Sequence, residues 1–197
     1  DNTPAVVHTE IVPGNTVEVK LAAKGGGSEN KTKFAMLNPS DSIVDWVLKT
    51  VATMGAGWCP PGMLGIGIGG SAEKAMLMAK ESLMEHIDMG QLKARGPQNK
   101  IEELRIELHD KINALGIGAQ GLGGLSTVLD VKIFDYPTHA ASKPISMIPN
   151  CAATRHAHFV LDGSGPAWCE PPPLSAWPDV HWTPDVRTSQ RVDLDTL

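Results

Sequence analysis

An α+β fold is what this sequence predicts, with strands and helices in separate runs. Three observations carry that prediction. Alternating apolar and polar residues open the chain, two long amphipathic stretches fill its middle, and β-branched apolar segments return after residue 126. Strands, then helices, then strands is not the regular alternation that winds a parallel sheet. The chain has 197 residues, 42% of them apolar, which is enough to bury a real core.

The elements follow in order. "AVVHTEIV" and "TVEVKLAAKG" alternate around "PGN", which predicts a hairpin. "GGGSENKTK" reads as a polar loop, and "FAMLN" as the strand after it. In "PSDSIVDWVLKTVATMG" Ile43, Val44, Val47, Leu48 and Val51 recur at helical spacing behind a Ser or Asp cap, with Gly55 as a stop, so a helix is expected over about 40–54. One continuous helix is expected for "SAEKAMLMAKESLMEHI", capped by Ser71, with Met76 and Met78 as core residues. "NKIEELRIELHDKINALG" is a further amphipathic helix with Ile101, Leu104, Leu108 and Ile112 on one face. His86 and His109 read as solvated. Strands are expected in "TVLDVKIFDYP", "ISMIPN" and "ATRHAHFVLDG". The tail "PPPLSAWPDVHWTPDV" reads as an extended, proline-rich segment, so residues 1–163 are expected as one domain and 164–197 as a connecting segment.

Charge and composition exclude some functions. A net charge of -5 supplies no basic field for a phosphate backbone, so nucleic acid is not an expected partner. No apolar run approaches the roughly 18 to 20 residues of a membrane span. No targeting segment is apparent, and a soluble compartment, the cytoplasm or in a eukaryote the mitochondrion, is the expected setting. Three scattered cysteines, Cys59, Cys151 and Cys169, make no disulfide framework. The start at Asp1 suggests a piece of a longer polypeptide.

Several residues could carry chemistry. "GIGIGG" at 65–70 and "GIGAQG" at 116–121 both match G-x-G-x-x-G. A dinucleotide site also needs a strand before the glycines and a helix after them. The first match follows "CPPG" and the second leads into "LGGLST", so the glycines read better as places where backbone passes close to a ligand or a strand. From spacing alone Cys59 and Cys151 are each read first as small buried hydrophobes, with iron–sulfur ligands gathered by the fold as the alternative. Their spacing fits no zinc ribbon. His139, on a loop between Pro137 and Pro144, is a candidate proton donor or substrate contact, or a structural histidine. Arg155 could grip a carboxylate with its planar fork or pair with an acid such as Asp162.

"GIGAQGLGGLSTVLDVKIFDYPTHAASKPISMIPNCAATRHAHFVLDG", "GWCPPGMLGIGIGGSAEKAMLMAKESL" and "KGGGSENK" closely resemble the class I fumarate hydratases, oxygen-sensitive iron–sulfur hydro-lyases of the tricarboxylic acid cycle. The L-tartrate dehydratases are relatives with a similar first subunit. The resemblance implies a 4Fe-4S cluster held by three cysteines, with one iron open to fumarate or malate. Cys59 in "CPPG" and Cys151 in "PNCAATRH" match two of the three, and the remaining ligand is expected upstream. Cys169 matches no required position. His139 resembles the family histidine that contacts substrate and helps with protonation, and Gly25, Gly26 and Gly27 the segment whose backbone approaches it. Arg155, His156 and His158 are expected to support the site or the strand. A homodimer that also needs a C-terminal domain is implied, with L-tartrate dehydratase or a dinucleotide-binding module as the alternatives.

Overall fold

The computed structural model describes residues 5–164. The proline-rich tail and Cys169 lie outside the described residues. Helices and strands are mixed as an α+β fold requires, and residues 18–159 form one compact unit. The other unit is drawn from both ends of the chain, and of it only residues 5–17 and 160–164 are described.

The expected hairpin does not form. Residues 5–12 carry no strand, and Val6, Val7 and Ile11 are 84%, 77% and 96% exposed. Alternation without a buried face has nothing to hold a strand in register. Strand β1 (Val17–Ala22) pairs instead with β6 (His156–Leu161), far away in sequence.

The main sheet has four strands. They are β2 (Lys33–Leu37), β3 (Gly62–Gly69), β4 (Val128–Tyr136) and β5 (Lys143–Asn150), in the order β2-β5-β3-β4. β5 is antiparallel to both of its neighbours, while β3 and β4 run parallel. That parallel pair needs a long crossover, and three helices supply it.

Alternate residues of β3 face opposite layers. Leu64 and Ile66 join Val131, Ile133, Ile145 and Met147 beneath helices α2 (Ile43–Thr53) and α5 (Lys100–Ala114). Met63 and Ile148 pack on the other face with Ala79 and Leu83 of the α3 end. Helix α3 (Ala72–Ser82) lies so close to β3 that the strand can carry no side chains there. A Cβ at Gly65 would stand 2.2 Å from the Ala79 carbonyl oxygen, and one at Gly67 1.9 Å from that of Ala75. The glycines of "GIGIGG" are therefore the contact surface between strand and helix.

Capping explains the helix boundaries. Ser42, Ser71 and Asn99 each accept a bond from the amide three residues on, as N-caps do. The expected long helix from Ser71 stops at Leu83, and a separate helix α4 (Met89–Arg95) follows. Its cap comes from β4: Asp130 Oδ2 accepts from the amides of Asp88 and Met89 at 2.8 and 3.1 Å. Asp130 is fully buried, and its charge is met by Arg105 and Lys132 at 3.1 and 3.2 Å. Both cations also reach Asp88, at 2.5 Å. Burial pushes the Asp88 carboxyl up, but the bonds from Lys132 and Arg105 outweigh it and hold it at about 2.

Candidate functional site

Strand order decides which loops meet. Gly62 begins β3, Val128 begins β4, Lys33 begins β2 and Asn150 ends β5, and the pairing puts all four at one end of the sheet. The segments attached there are residues 23–32, 55–61, 116–127 and 151–155. Cys59 lies in the second of these and Cys151 in the fourth, so the fold brings both cysteines to the same end. Both thiols are free; Cys59 is exposed and Cys151 half-buried.

Contacts knit the four segments. A Cβ at Gly27 would stand 2.8 Å from the Gly57 carbonyl oxygen, so the glycine loop lies directly on the turn that leads to Cys59. On its other side Arg155 Nε donates to the Ala23 carbonyl at 3.2 Å, the Ala23 amide donates to the Arg155 carbonyl at 2.9 Å, and Arg155 Nη2 lies 3.9 Å from the Cβ position of Gly25. The Gln120 amide donates to the Pro60 carbonyl at 2.7 Å. Among the described residues the two non-glycine positions with left-handed backbone are Cys59 (φ 59°) and Gln120 (φ 54°), and this bond ties Gln120 to Pro60, the residue after Cys59. Sparsely populated backbone of this kind tends to collect at functional sites.

The glycine loop is built as a short helix, α1 (Gly26–Glu29), rather than the expected irregular loop. Lys24 bonds Ser28 Oγ at 3.0 Å and Glu29 at 2.9 Å, Lys80 from α3 reaches the same Glu29 oxygen at 2.5 Å, and Ser28 donates back to the Gly25 carbonyl at 3.0 Å. Burial lowers the Lys24 pKa, against the pull of Glu29 and of the nearby Cys151, with Lys80 adding a like charge. Packing does not explain Gly26, since nothing lies within 4 Å of its Cβ position.

His139 is not brought to this group. It lies on the loop from β4 to β5, where Thr138 Oγ1 donates to the Gly70 carbonyl at 3.0 Å and His139 Nδ1 accepts from the Ala141 amide at 3.1 Å. Gly70 follows the far end of β3. The Arg155 guanidinium bonds the Ala23 carbonyl and pairs with no carboxylate among residues 18–159. His158 bonds Glu18 at 2.8 Å on the β1–β6 ribbon, and burial lowers the pKa of half-buried His156 beside it. His109 is only 16% exposed and bonds Asp110 at 3.1 Å, against the expectation of full solvation.

Sequence reading passed over Lys24 and Gln120. The second glycine motif was a usable signal for Gln120, because its segment packs against the Cys59 turn: a Cβ at Gly121 would stand 3.0 Å from Ala56 Cβ. Lys24 carried no signal of its own. Two concavities, of about 530 and 330 Å³, lie beside Asn99–Glu102 and between Met84 and His156, and neither includes Cys59, Cys151 or Gly25–Gly27.

A family model described as "Fumarate hydratase (Fumerase)" matches residues 1–160. The chain belongs to the fumarate hydratase (Fumerase) family. Within that family it is 44% identical over 144 residues to a Methanocaldococcus jannaschii protein named "Putative L(+)-tartrate dehydratase subunit alpha", a match covering 72% of this chain and 49% of that protein. It is 31% identical over 156 residues to the L(+)-tartrate dehydratase subunit alpha of Escherichia coli strain K12, covering 77% and 50% respectively. This member of the Fumerase family thus spans about half the length of the curated relatives it matches. Among its described residues no helix is long and apolar enough to cross a membrane.

Proposed function

We propose that this chain carries part of the active site of a cytoplasmic hydro-lyase that interconverts fumarate and (S)-malate, with Cys59 and Cys151 as two of three thiolate ligands to a 4Fe-4S cluster. The observation that carries the reading is the convergence of both cysteines with the Gly25–Gly27 segment at one sheet end, in a chain of this family.

The donor set fits such a group. Two free, accessible thiols are soft ligands suited to iron–sulfur chemistry. Two buried N–H groups without partners, of Trp58 and Asn150, stand in the chain next to them. The described residues contain no group of three or more His, Cys, Asp or Glu side chains able to hold a metal, so the third ligand is assigned to residues beyond these. When bound, the cluster supplies a Lewis acid for the substrate hydroxyl and carboxylate.

The chain's own residues would bind and orient the dianion. Gly26 leaves open space where a side chain would stand, so backbone there is approachable by a carboxylate. Arg155, fixed to Ala23 and free of any acid among residues 18–159, offers positive charge beside that loop. Lys24 and Lys80 share Glu29, which leaves one further net positive charge.

His139 keeps its proposed contact with substrate, as a proton donor, in the site of a second copy. The strand between it and Cys151 is too long for one chain to bring them together, and a homodimer solves that distance. A C-terminal domain or partner subunit completes the site. L(+)-tartrate is the second reading, favoured by the names of the relatives. It differs from malate by one hydroxyl. A dinucleotide site is disfavoured because Gly65 and Gly67 are filled by α3.

The test uses the full-length protein, prepared without oxygen and assayed on fumarate and on L-tartrate before and after brief air exposure. Fumarate hydration that collapses in air supports the first reading. Dehydration of tartrate alone selects the second, and turnover of neither by a cluster-loaded sample overturns both.

A further inference from the structure

Four buried side-chain polar atoms have no hydrogen-bond partner among the described residues: Thr32 Oγ1, Trp58 Nε1, Ser146 Oγ and Asn150 Nδ2. A hydroxyl can turn to find an acceptor, whereas the indole and amide N–H groups are fixed by their planes. A buried donor left unmade is costly and calls for a specific reason. The residues that carry these two N–H groups each adjoin a cysteine in the chain. Trp58 immediately precedes Cys59, and Asn150 immediately precedes Cys151.

Both residues are core members, 0% and 1% exposed. They meet at Gly62, where a Cβ would stand 3.0 Å from Trp58 Cζ3 and 2.1 Å from the Asn150 carbonyl oxygen. Their volume could be filled by Phe and Leu with no unpaired donor, so packing alone does not account for the polar atoms. The acceptor that both lack is of a kind the neighbouring cysteines would bring. Thiolate and sulfide sulfurs of an iron–sulfur centre accept N–H bonds, and those bonds help to set its reduction potential.

We infer that Asn150 and Trp58 are positioning residues for the iron–sulfur centre, each donating its buried N–H to sulfur at the cysteine beside it. This rests on Cys59 and Cys151 being cluster ligands, as proposed above. N–H bonds to sulfur favour the more negatively charged, reduced state. Their loss therefore moves the potential downward and makes oxidation in air easier.

The experiment compares full-length wild-type enzyme with Asn150→Leu and Trp58→Phe, all reconstituted anaerobically. Iron and sulfide content, the potential from an EPR-monitored titration, and the shift of Fe–S stretching bands between H2O and D2O are measured. The expected result is wild-type iron content, a more negative potential, a smaller D2O shift and a severalfold faster loss of the cluster in air. Loaded variants that both keep the wild-type potential and D2O shift overturn the inference. So does a raised KM with an unchanged potential, which makes these residues substrate contacts. Should Asn150→Leu fail to fold, Trp58→Phe decides the matter. A wild-type protein that takes up no iron and sulfide removes the ligand assignment itself, and this inference with it; unchanged potentials in loaded variants remove this inference alone.

Discussion

Two inactive variants of the full-length enzyme are expected to restore activity when paired, one lacking Cys151 and the other lacking His139. The reason is distance. The eight residues of β5 separate the His139 loop from Cys151, and at about 3.3 Å per residue they span roughly 26 Å. Hydrogen-bond contact needs about 3 Å. In a two-fold dimer the contacts are reciprocal, so a mixed pair of Cys151→Ser and His139→Asn chains puts both defects in one site and neither in the other. Random pairing of equal amounts makes half the dimers mixed and restores about a quarter of wild-type turnover. Differently tagged chains, co-expressed and purified anaerobically through both tags, would isolate the mixed species, with about half of wild-type activity. Cys59→Ser paired with Cys151→Ser is the control, because those two residues share a sheet end in one chain and no site escapes both defects. Activity in the mixed dimer no greater than that of its two parents would refute the placement of His139 on the second copy.

Three further outcomes are expected. Gly67→Ala forces a Cβ to within 1.9 Å of the Ala75 carbonyl oxygen, and with backbone unable to yield like a flexible side chain it is expected to cost about 3 kcal/mol; denaturant titration checks this, and a loss within error of zero would contradict the packing. Asp88 titrates near 2 when folded, below its ordinary 3.8, so its stabilising contribution is complete above about pH 4 and fades as the pH falls toward 2. Melting temperatures across that range should fall less steeply for Asp88→Asn than for wild type, and parallel curves would remove Asp88 from the acid response. Finally, the 197-residue chain alone is expected to show no fumarate hydration after anaerobic reconstitution, since it presents two of the three proposed thiolates; measurable turnover by this chain would show that the site is complete within it.

Local signals made much of the fold readable. Ser42, Ser71 and Asn99 each announce a helix with a short polar side chain and accept the bond expected of a cap. The 3.6-residue spacing of Leu108 and Ile112 reports a face that is indeed buried. Failures occurred where the deciding partner was distant. Helix α4 is capped by Asp130, 42 residues after Asp88, and no window around residues 83–89 contains that information. The opening hairpin had the right alternation, but β1 found β6 as its partner and left residues 5–12 without a face to bury.

The site shows the same limit on a larger scale. Cys59 and Cys151 stood out by the motifs around them, yet their placement at one end of the sheet depends on β3 and β5 being antiparallel neighbours, so that the start of one lies beside the end of the other. The same pairing sends His139, only twelve positions before Cys151 in the sequence, to the opposite end. Proximity in sequence is thus a poor guide here in both directions: it separates the two cysteines that the sheet unites, and it places beside Cys151 a histidine that the strand carries away. Gln120 reaches the same end of the sheet for a reason of the same kind. Its segment leads into β4, which runs parallel to β3 and so begins at the end where Cys59 stands. A glycine motif that fails as a nucleotide fingerprint, for want of a following helix, is placed by that parallel pairing against the turn of a proposed cluster ligand.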